Sequence, residues 1–261
     1  TPCGPDNEWF YPKNDKPCGP NCGPDCGCGR YVEIGNDVYM QYKKTAAGYE
    51  PLANKNVDTG FGLDRLLAFL NGVTDGYKTD LFMPVINYLE EKSGKKYDED
   101  EEARKAMRII ADHIRTSTML IGDVNGIVPS NVGAGYILRR LLRRAIRYAR
   151  KLGVEMTALT DVSKIFIEKI YDEAYPLLVE KEDYVISEIA KETAKFETTL
   201  ATGLKEFNKC VEGIERKNAF MAQKDPAYVP EKGINGKQAF RLYDTFGFPL
   251  ELTEELASEV G

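Results

Sequence analysis

One stretch restricts the fold more than any other: GYILRRLLRRAIRYARKLG, residues Gly135 to Gly153. Plotted at about 100° per residue, Arg139, Arg140, Arg143, Arg144, Arg147, Arg150 and Lys151 fall within an arc of roughly 140°. Ile137, Leu138, Leu141, Leu142, Ala145, Ile146, Ala149 and Leu152 take the opposite half. This is a helix that buries one side and carries an uninterrupted basic face on the other. Seven like charges repel one another, so the face needs a counter-surface. A nucleic-acid phosphate backbone is the expected partner, and the face is long enough to track one side of a short duplex. The alternative is a solvated face paired with acids from elsewhere in the chain.

Helical spacing recurs through most of the sequence beyond Asp80. Leu81–Glu91, Glu101–Leu120, Gly135–Leu152, Val162–Tyr175 and Tyr184–Ile214 all repeat at about 3.6 residues. Pro129-Ser130-Asn131 separates two of these helices, with Ser130 or Asn131 available as an N-cap. Acids crowd Asp98–Glu102, as at a helix start favoured by the macrodipole. A loop is expected over 217–237, then a final helix pair hinged at Gly247-Phe248-Pro249. Residues 1–30 are rich in Gly, Pro and Cys and read as loop. Arg30–Tyr42 gives two short β runs broken at Gly35-Asn36-Asp37, a turn-like triplet. The class is therefore α+β, a β-containing part followed by a helical one, with the boundary near residue 80. No internal repeat is evident, and no run of about 18 apolar residues exists for a membrane span. The chain starts at Thr1 and stops inside a helical pattern at Leu256–Gly261, so it reads as an internal fragment.

With 43% hydrophobic residues the 261-residue chain can bury a core. Its net charge of −6 does not suggest a nucleic-acid binder. The charge is unevenly placed, however, and the basic block at 139–151 matters more than the sum.

A second constellation lies at Val57-Asp58-Thr59-Gly60-Phe61-Gly62-Leu63-Asp64-Arg65-Leu66. A strand ends near a carboxylate, two glycines permit close backbone approach, and a helix opens with an arginine in its first turn. Asp58 can hold a ligand ammonium in a charge-assisted pair, and Arg65 can fork onto a phosphate. Glycine pairs at strand–helix junctions also arise for packing alone.

Gly60-Phe61-Gly62-Leu63-Asp64-Arg65-Leu66 resembles the third signature motif of the class II aminoacyl-tRNA synthetases, whose arginine contacts ATP. Further stretches resemble the alanyl-tRNA synthetases within that class. They are Val32–Tyr42, Asn56–Gly60, Ala111–Arg115, Val128–Asn131, Gly135–Arg140 and Leu242–Pro249, in the family's order and with fitting spacing. The resemblance implies that residues 1–80 are the end of an antiparallel-sheet catalytic domain and that 81–261 form a helical tRNA-recognition domain. It implies that Asn36, Val38, Asp58 and Gly60 line the alanine pocket, with Asp58 on the amino group and Gly60 limiting size. Glu33, Gly62 and Arg65 would bind ATP, with Arg65 and Asp58 carrying the chemistry. Asn131 and Asp244 match the family's readers of the acceptor-stem G·U pair, and Arg139, Arg140, Arg143, Arg144 and Arg147 would face tRNA phosphates. A carboxylate suits the exocyclic amine that guanine shows in the shallow groove. Asn131 as a plain N-cap and Asp244 in an Asx-type turn are the local alternatives.

The implied activity is that of an alanine–tRNA ligase using ATP, Mg²⁺, alanine and alanine tRNA in the cytoplasm, incomplete in this chain. A non-catalytic RNA-binding relative is the rival, although intact Asp58 and Arg65 argue against it. The first two class II motifs have no counterpart in these residues, and the family's Trp is replaced by Gly35, so the pocket floor is expected to be remodelled. The family's His-rich editing metal site cannot be built here, since His113 is the chain's one histidine and reads as packed. Cys18, Cys22, Cys26 and Cys28 form C-x3-C-x3-C-x-C, a candidate structural Zn²⁺ site within a Cys-rich insertion at 3–28. Free thiols are the alternative there, and Cys210 reads as core.

Overall fold

The structure is a computed structural model and describes residues 1–225 and 227–260. Pro226, within the loop expected at 217–237, and Gly261, at the end of the last helical pattern, lie outside the described residues. The chain divides into two compact units, Thr1–Pro84 and Val85–Gly261.

The first unit is built on an antiparallel sheet. Its long middle strand, β3 (Tyr31–Thr45), pairs along one side with β4 (Gly48–Phe61). Along its other side run β1 (Pro2–Cys3) and then β2 (Asp6–Pro12). Two expectations are corrected here. Residues 1–30 are not all loop, because β1 and β2 form an edge against β3. The triplet Gly35-Asn36-Asp37 does not turn either; it continues through β3, and the hairpin turn falls at Thr45–Gly48. Gly35 serves close packing instead. A Cβ there would stand 2.5 Å from both the Gly60 carbonyl oxygen and the Phe61 ring. After β4, Gly62 caps α1 (Leu63–Leu70), and its N–H donates to the Ile34 carbonyl at 2.9 Å. A short 3-10 turn follows at Gly76–Lys78.

The second unit is helical: α2 (Met83–Ser93), α3 (Glu101–Gly122), α4 (Gly133–Leu152), α5 (Thr157–Ile165), α6 (Pro176–Glu180), α7 (Glu182–Lys224), α8 (Gly236–Phe246) and α9 (Leu250–Val260). Ile110, Ile114 and Ile121 of α3 meet a core shared with Leu138, Leu142, Ile146 and Ala149 of α4. Val185, Ile189 and Phe196 of α7 extend the same core. The acids at 98–102 act as expected: the Asp100 side chain accepts from the Ala103 N–H at 2.9 Å and caps α3.

Three helical expectations are revised. α5 does not run to Tyr175; it widens into a π turn at Phe166–Ile170, which buries both Phe166 and Ile167, and Pro176 then starts α6. α7 continues past Ile214 to Lys224, a span of roughly 65 Å at 1.5 Å per residue. Its extension stops at Asp225, next to a proline, which disfavours helical backbone at the residue before it. Neither Ser130 nor Asn131 caps α4, whose N-cap is Val132; Ser130 Oγ instead donates to the Val132 carbonyl at 2.9 Å. The hinge between α8 and α9 lies at Gly247-Phe248-Pro249, where Gly247 takes the left-handed φ of 62° and Phe248 seats against Gly203 of α7.

Candidate functional site

Strand register decides which side chains of the first unit act together. Asn36 pairs with Gly60, and Val38 with Asp58, across β3 and β4. Side chains alternate along each strand, so these four positions share one face of the sheet. A Cβ on Gly60 would lie 3.5 Å from Asn36 Oδ1, in ordinary van der Waals contact with the amide. Asp58 is exposed on this face, next to the half-buried Val38.

The same alternation sends Gly35, Asp37, Thr59 and Phe61 to the opposite face. There Asp37 accepts from Trp9 Nε1 at 2.8 Å and from Thr59 Oγ1 at 2.7 Å. These bonds, that from Trp9 first, hold its carboxyl below the usual carboxylate range. The departure at Gly35 therefore falls on the face away from Asn36 and Asp58, where the Phe61 ring fills the space. Asp37, within a triplet whose composition favours a turn, thus ties β3 to Trp9 of β2 and Thr59 of β4.

Arg65, in the first turn of α1, reaches back to β3. Its Nη1 donates to the Glu33 carbonyl oxygen at 3.0 Å and stands 3.8 Å from the Glu33 carboxylate. The guanidinium is thus tethered to β3 while remaining largely exposed. A Cβ at Gly62 would lie 3.5 Å from the Arg65 side chain, so glycine leaves that approach open.

In the second unit the basic face finds its counter-surface within the chain. Glu192 of α7 is buried between Arg143 Nε at 2.8 Å and Arg139 Nε at 3.4 Å. Arg147, only 5% exposed, pairs with Glu255 and Glu259 of α9, both at 2.7 Å. Arg144 reaches Glu255 at 3.2 Å, Arg140 reaches Glu251 at 3.5 Å, and Lys151 reaches Glu102 at 2.6 Å. The guanidiniums of Arg139, Arg143 and Arg147, from which phosphate contacts were expected, are turned inward onto Glu192, Glu255 and Glu259. Arg140 and Arg144 stay about half exposed.

The two candidate base readers are both exposed. Asn131 precedes α4, and its Oδ1 accepts from Arg139 Nη1. Asp244 sits in the last turn of α8 rather than in an Asx-type turn. The first turns of α4 and α9 are joined by Tyr136, whose hydroxyl donates to Glu251 at 2.8 Å. His113 is packed as expected, 12% exposed with Nδ1 3.3 Å from Asp112. Cys210, on α7, is partly exposed rather than core.

Four cysteines converge between β2 and β3. The sulfurs of Cys18, Cys22, Cys26 and Cys28 all lie within 4.8 Å of one another. A backbone hydrogen bond from Cys18, aided by Arg30, brings the Cys22 thiol down to about 7. Hydrogen bonds with Cys26, Cys22 and Cys28 push the Cys18 thiol up to about 12.

Residues 1–261 match the family described as tRNA synthetases class II (A). The chain belongs to that family. It is 44% identical over its whole length to the alanine–tRNA ligase of Borrelia hermsii (strain HS1 / DAH), covering 41% of that protein. It is similarly 43% identical to the alanine–tRNA ligase of Treponema pallidum (strain Nichols), again over 41% of it. With that of Geobacillus thermodenitrificans (strain NG80-2) it shares 39% identity over 28% of the protein. The chain thus spans about two fifths of the first two relatives. Synthetases of this class use ATP and Mg²⁺ in general. Among the described residues no helix is long and apolar enough to cross a membrane.

Proposed function

We propose that this chain is the part of an alanine–tRNA ligase that completes the amino-acid pocket and selects the tRNA. In the whole enzyme the alanine carboxylate attacks the α-phosphorus of ATP, the bond to the β-phosphate breaks, and alanyl-adenylate and pyrophosphate form. The terminal ribose hydroxyl of the tRNA then takes the alanyl group and AMP leaves. No protein nucleophile is needed; catalysis rests on positioning and on neutralising phosphate charge.

The observation that carries this reading is the shared face of Asn36, Val38, Asp58 and Gly60, with Arg65 tethered at its end. On it, Asp58 would receive the alanine ammonium, and Gly60 with Val38 would leave room for a methyl group only. Arg65 would meet the ATP phosphates beside Gly62, with Glu33 steering it, and Mg²⁺ would be held mainly by the phosphates. The cellular setting of such an enzyme is the cytoplasm. Asn131 and Asp244 would read the acceptor-stem G·U pair, while the half-exposed Arg140 and Arg144 would approach its phosphates.

Alanine-dependent ATP–pyrophosphate exchange tests the pocket. In the full-length enzyme Asp58→Asn should raise the KM for alanine at least a hundredfold; a KM unchanged from the wild type overturns the assignment. This chain alone should give no exchange, because the class II motifs that grip the α-phosphate have no counterpart among its residues. Steady exchange by the purified chain would refute that.

A further inference from the structure

The segment 13–30 joins β2 to β3 without a helix or strand of its own, and most of it is exposed. Four of the eighteen residues are cysteines and four are glycines, a composition that cannot bury enough apolar surface to order itself. Yet the segment is folded into two successive tight turns built on one local repeat. Cys18-Gly19-Pro20-Asn21-Cys22 is followed by Cys22-Gly23-Pro24-Asp25-Cys26. In each, the cysteine N–H returns to the glycine carbonyl, Cys22 to Gly19 at 3.2 Å and Cys26 to Gly23 at 3.0 Å. Proline occupies the second position of each turn, where its fixed φ fits. The repeat is only four residues long, which is why a search for domain-scale repeats passes over it.

We propose that Cys18, Cys22, Cys26 and Cys28 bind one Zn²⁺ ion as thiolates, and that this ion staples the base of the β2–β3 strand pair. Four thiolates at about 2.3 Å from a single tetrahedral metal stand about 3.8 Å apart. Cys18 and Cys26 are 3.3 Å apart, Cys22 and Cys28 are 3.9 Å apart, and all four sulfurs lie within 4.8 Å. That span suits one ion and is too small to wrap the several metals of an iron–sulfur cluster. It is also wider than a disulfide, whose sulfurs stand about 2.05 Å apart. Binding is balanced as four thiols plus Zn²⁺ giving a tetrathiolate complex of charge −2 and four released protons.

Arg30 supplies the surroundings such a complex needs. Its Nη1 lies 3.7 Å from Cys22 Sγ, and its Nε donates to the Asn14 carbonyl at 2.8 Å. The Arg30 carbonyl in turn accepts from the Lys13 N–H at 2.8 Å, closing the loop where β2 ends and β3 begins. A cation is thus fixed against the excess negative charge, and the last ligand, Cys28, lies three residues before β3. The same strand carries Asn36 and Val38, so the staple bears on the proposed alanine pocket without being part of it.

Metal content and thiol counting test this without any activity assay. The chain purified in reductant but without chelator should hold one zinc per chain. Of its six thiols, only Cys3 and Cys210 should then react with a chromogenic disulfide, and chelation should release the other four. Cobalt substitution should add thiolate-to-metal charge-transfer absorption, which Cys18→Ser/Cys26→Ser should abolish. Trp9, the chain's one tryptophan, sits on β2 and should report zinc removal by a fluorescence change, while helical circular dichroism from the second unit stays constant. Six thiols reacting at once in a folded chain with less than one zinc per ten chains would overturn the proposal. Iron with acid-labile sulfide would overturn it equally.

Discussion

Arg139 donates from Nη1 to the side-chain oxygen of Asn131, while its Nε faces the buried Glu192. The amide of Asn131 is therefore oriented: its oxygen is engaged by the guanidinium, and its NH₂ remains to be offered outward. A donor placed this way suits the acceptors that a base pair shows in the shallow groove of an RNA helix. Arg139→Lys would keep the charge near Glu192 but lose the planar fork that serves Asn131 and Glu192 together. Binding of an alanine-tRNA acceptor-stem hairpin should lose about tenfold of its preference for G·U over G·C, the equivalent of about 1.4 kcal/mol. Asn131→Ala should remove the same preference. If both variants discriminate as the wild type does, Asn131 is not the reader and Arg139 is only structural.

Glu192 sits between two arginines with 5% of its surface exposed. Replacing it with Ala would leave Arg139 and Arg143 facing each other without a counter-charge in a nearly dry site. Breaking a buried pair from one side typically costs about 3 kcal/mol or more. Thermal unfolding of Glu192→Ala should therefore show a large drop in Tm, far beyond that of Glu188→Ala, whose partner Lys191 is exposed. Equal losses from the two variants would mean that the Glu192 cluster adds little.

The docking of α9 on α4 should depend on acid. Burial raises the Glu255 pKa, but Arg147, Tyr148 and Arg144 outweigh it and leave the carboxyl below its ordinary value. A carboxyl depressed in the folded chain stabilises it above the unfolded value, about 4.3 for Glu. That contribution fades as pH falls through the folded value. Hydrogen exchange at low salt should show α9 amides losing protection below about pH 4.3 while core amides of α3 are still protected. Glu255→Gln should remove most of this pH dependence. Simultaneous loss of protection in α3 and α9 would show that the acid step is global and does not belong to this contact.

Local signals made most helices legible, and their absence explains the rest. The 3.6-residue pattern of Glu101–Leu120, the acids ahead of it and the Gly247-Phe248-Pro249 hinge all act through neighbours in sequence, so they stand out in a linear reading. The partners of the arginine face do not. Glu192, Glu255 and Glu259 lie some 50 to 110 residues away, so an uninterrupted basic face looked like a surface awaiting phosphate. The site motifs named Asn36, Val38, Asp58 and Gly60, but only the β3–β4 register brings them to one face. Gly35-Asn36-Asp37 misled for the converse reason. Its composition favours a turn, and the feature that overrides it, Phe61 seated over Gly35, comes from the partner strand.

That contact yields the sharpest test of the sheet. A Cβ at Gly35 would meet the Gly60 carbonyl and the Phe61 ring, each at 2.5 Å, so even a methyl group must displace both. Overpacking of this kind costs about 1–3 kcal/mol. Gly35→Ala should lower the stability of the first unit by that order, read as Trp9 fluorescence in a denaturant titration, since Trp9 pairs with Gly35. Shortening the ring with Phe61→Ala relieves one clash and leaves the backbone one, so the double variant should regain part of the loss and not all of it. If Gly35→Ala is neutral, β4 is free to move away from β3 at this point. The pairing of Asn36 with Gly60 would then be too loose to define a pocket for so small a substrate.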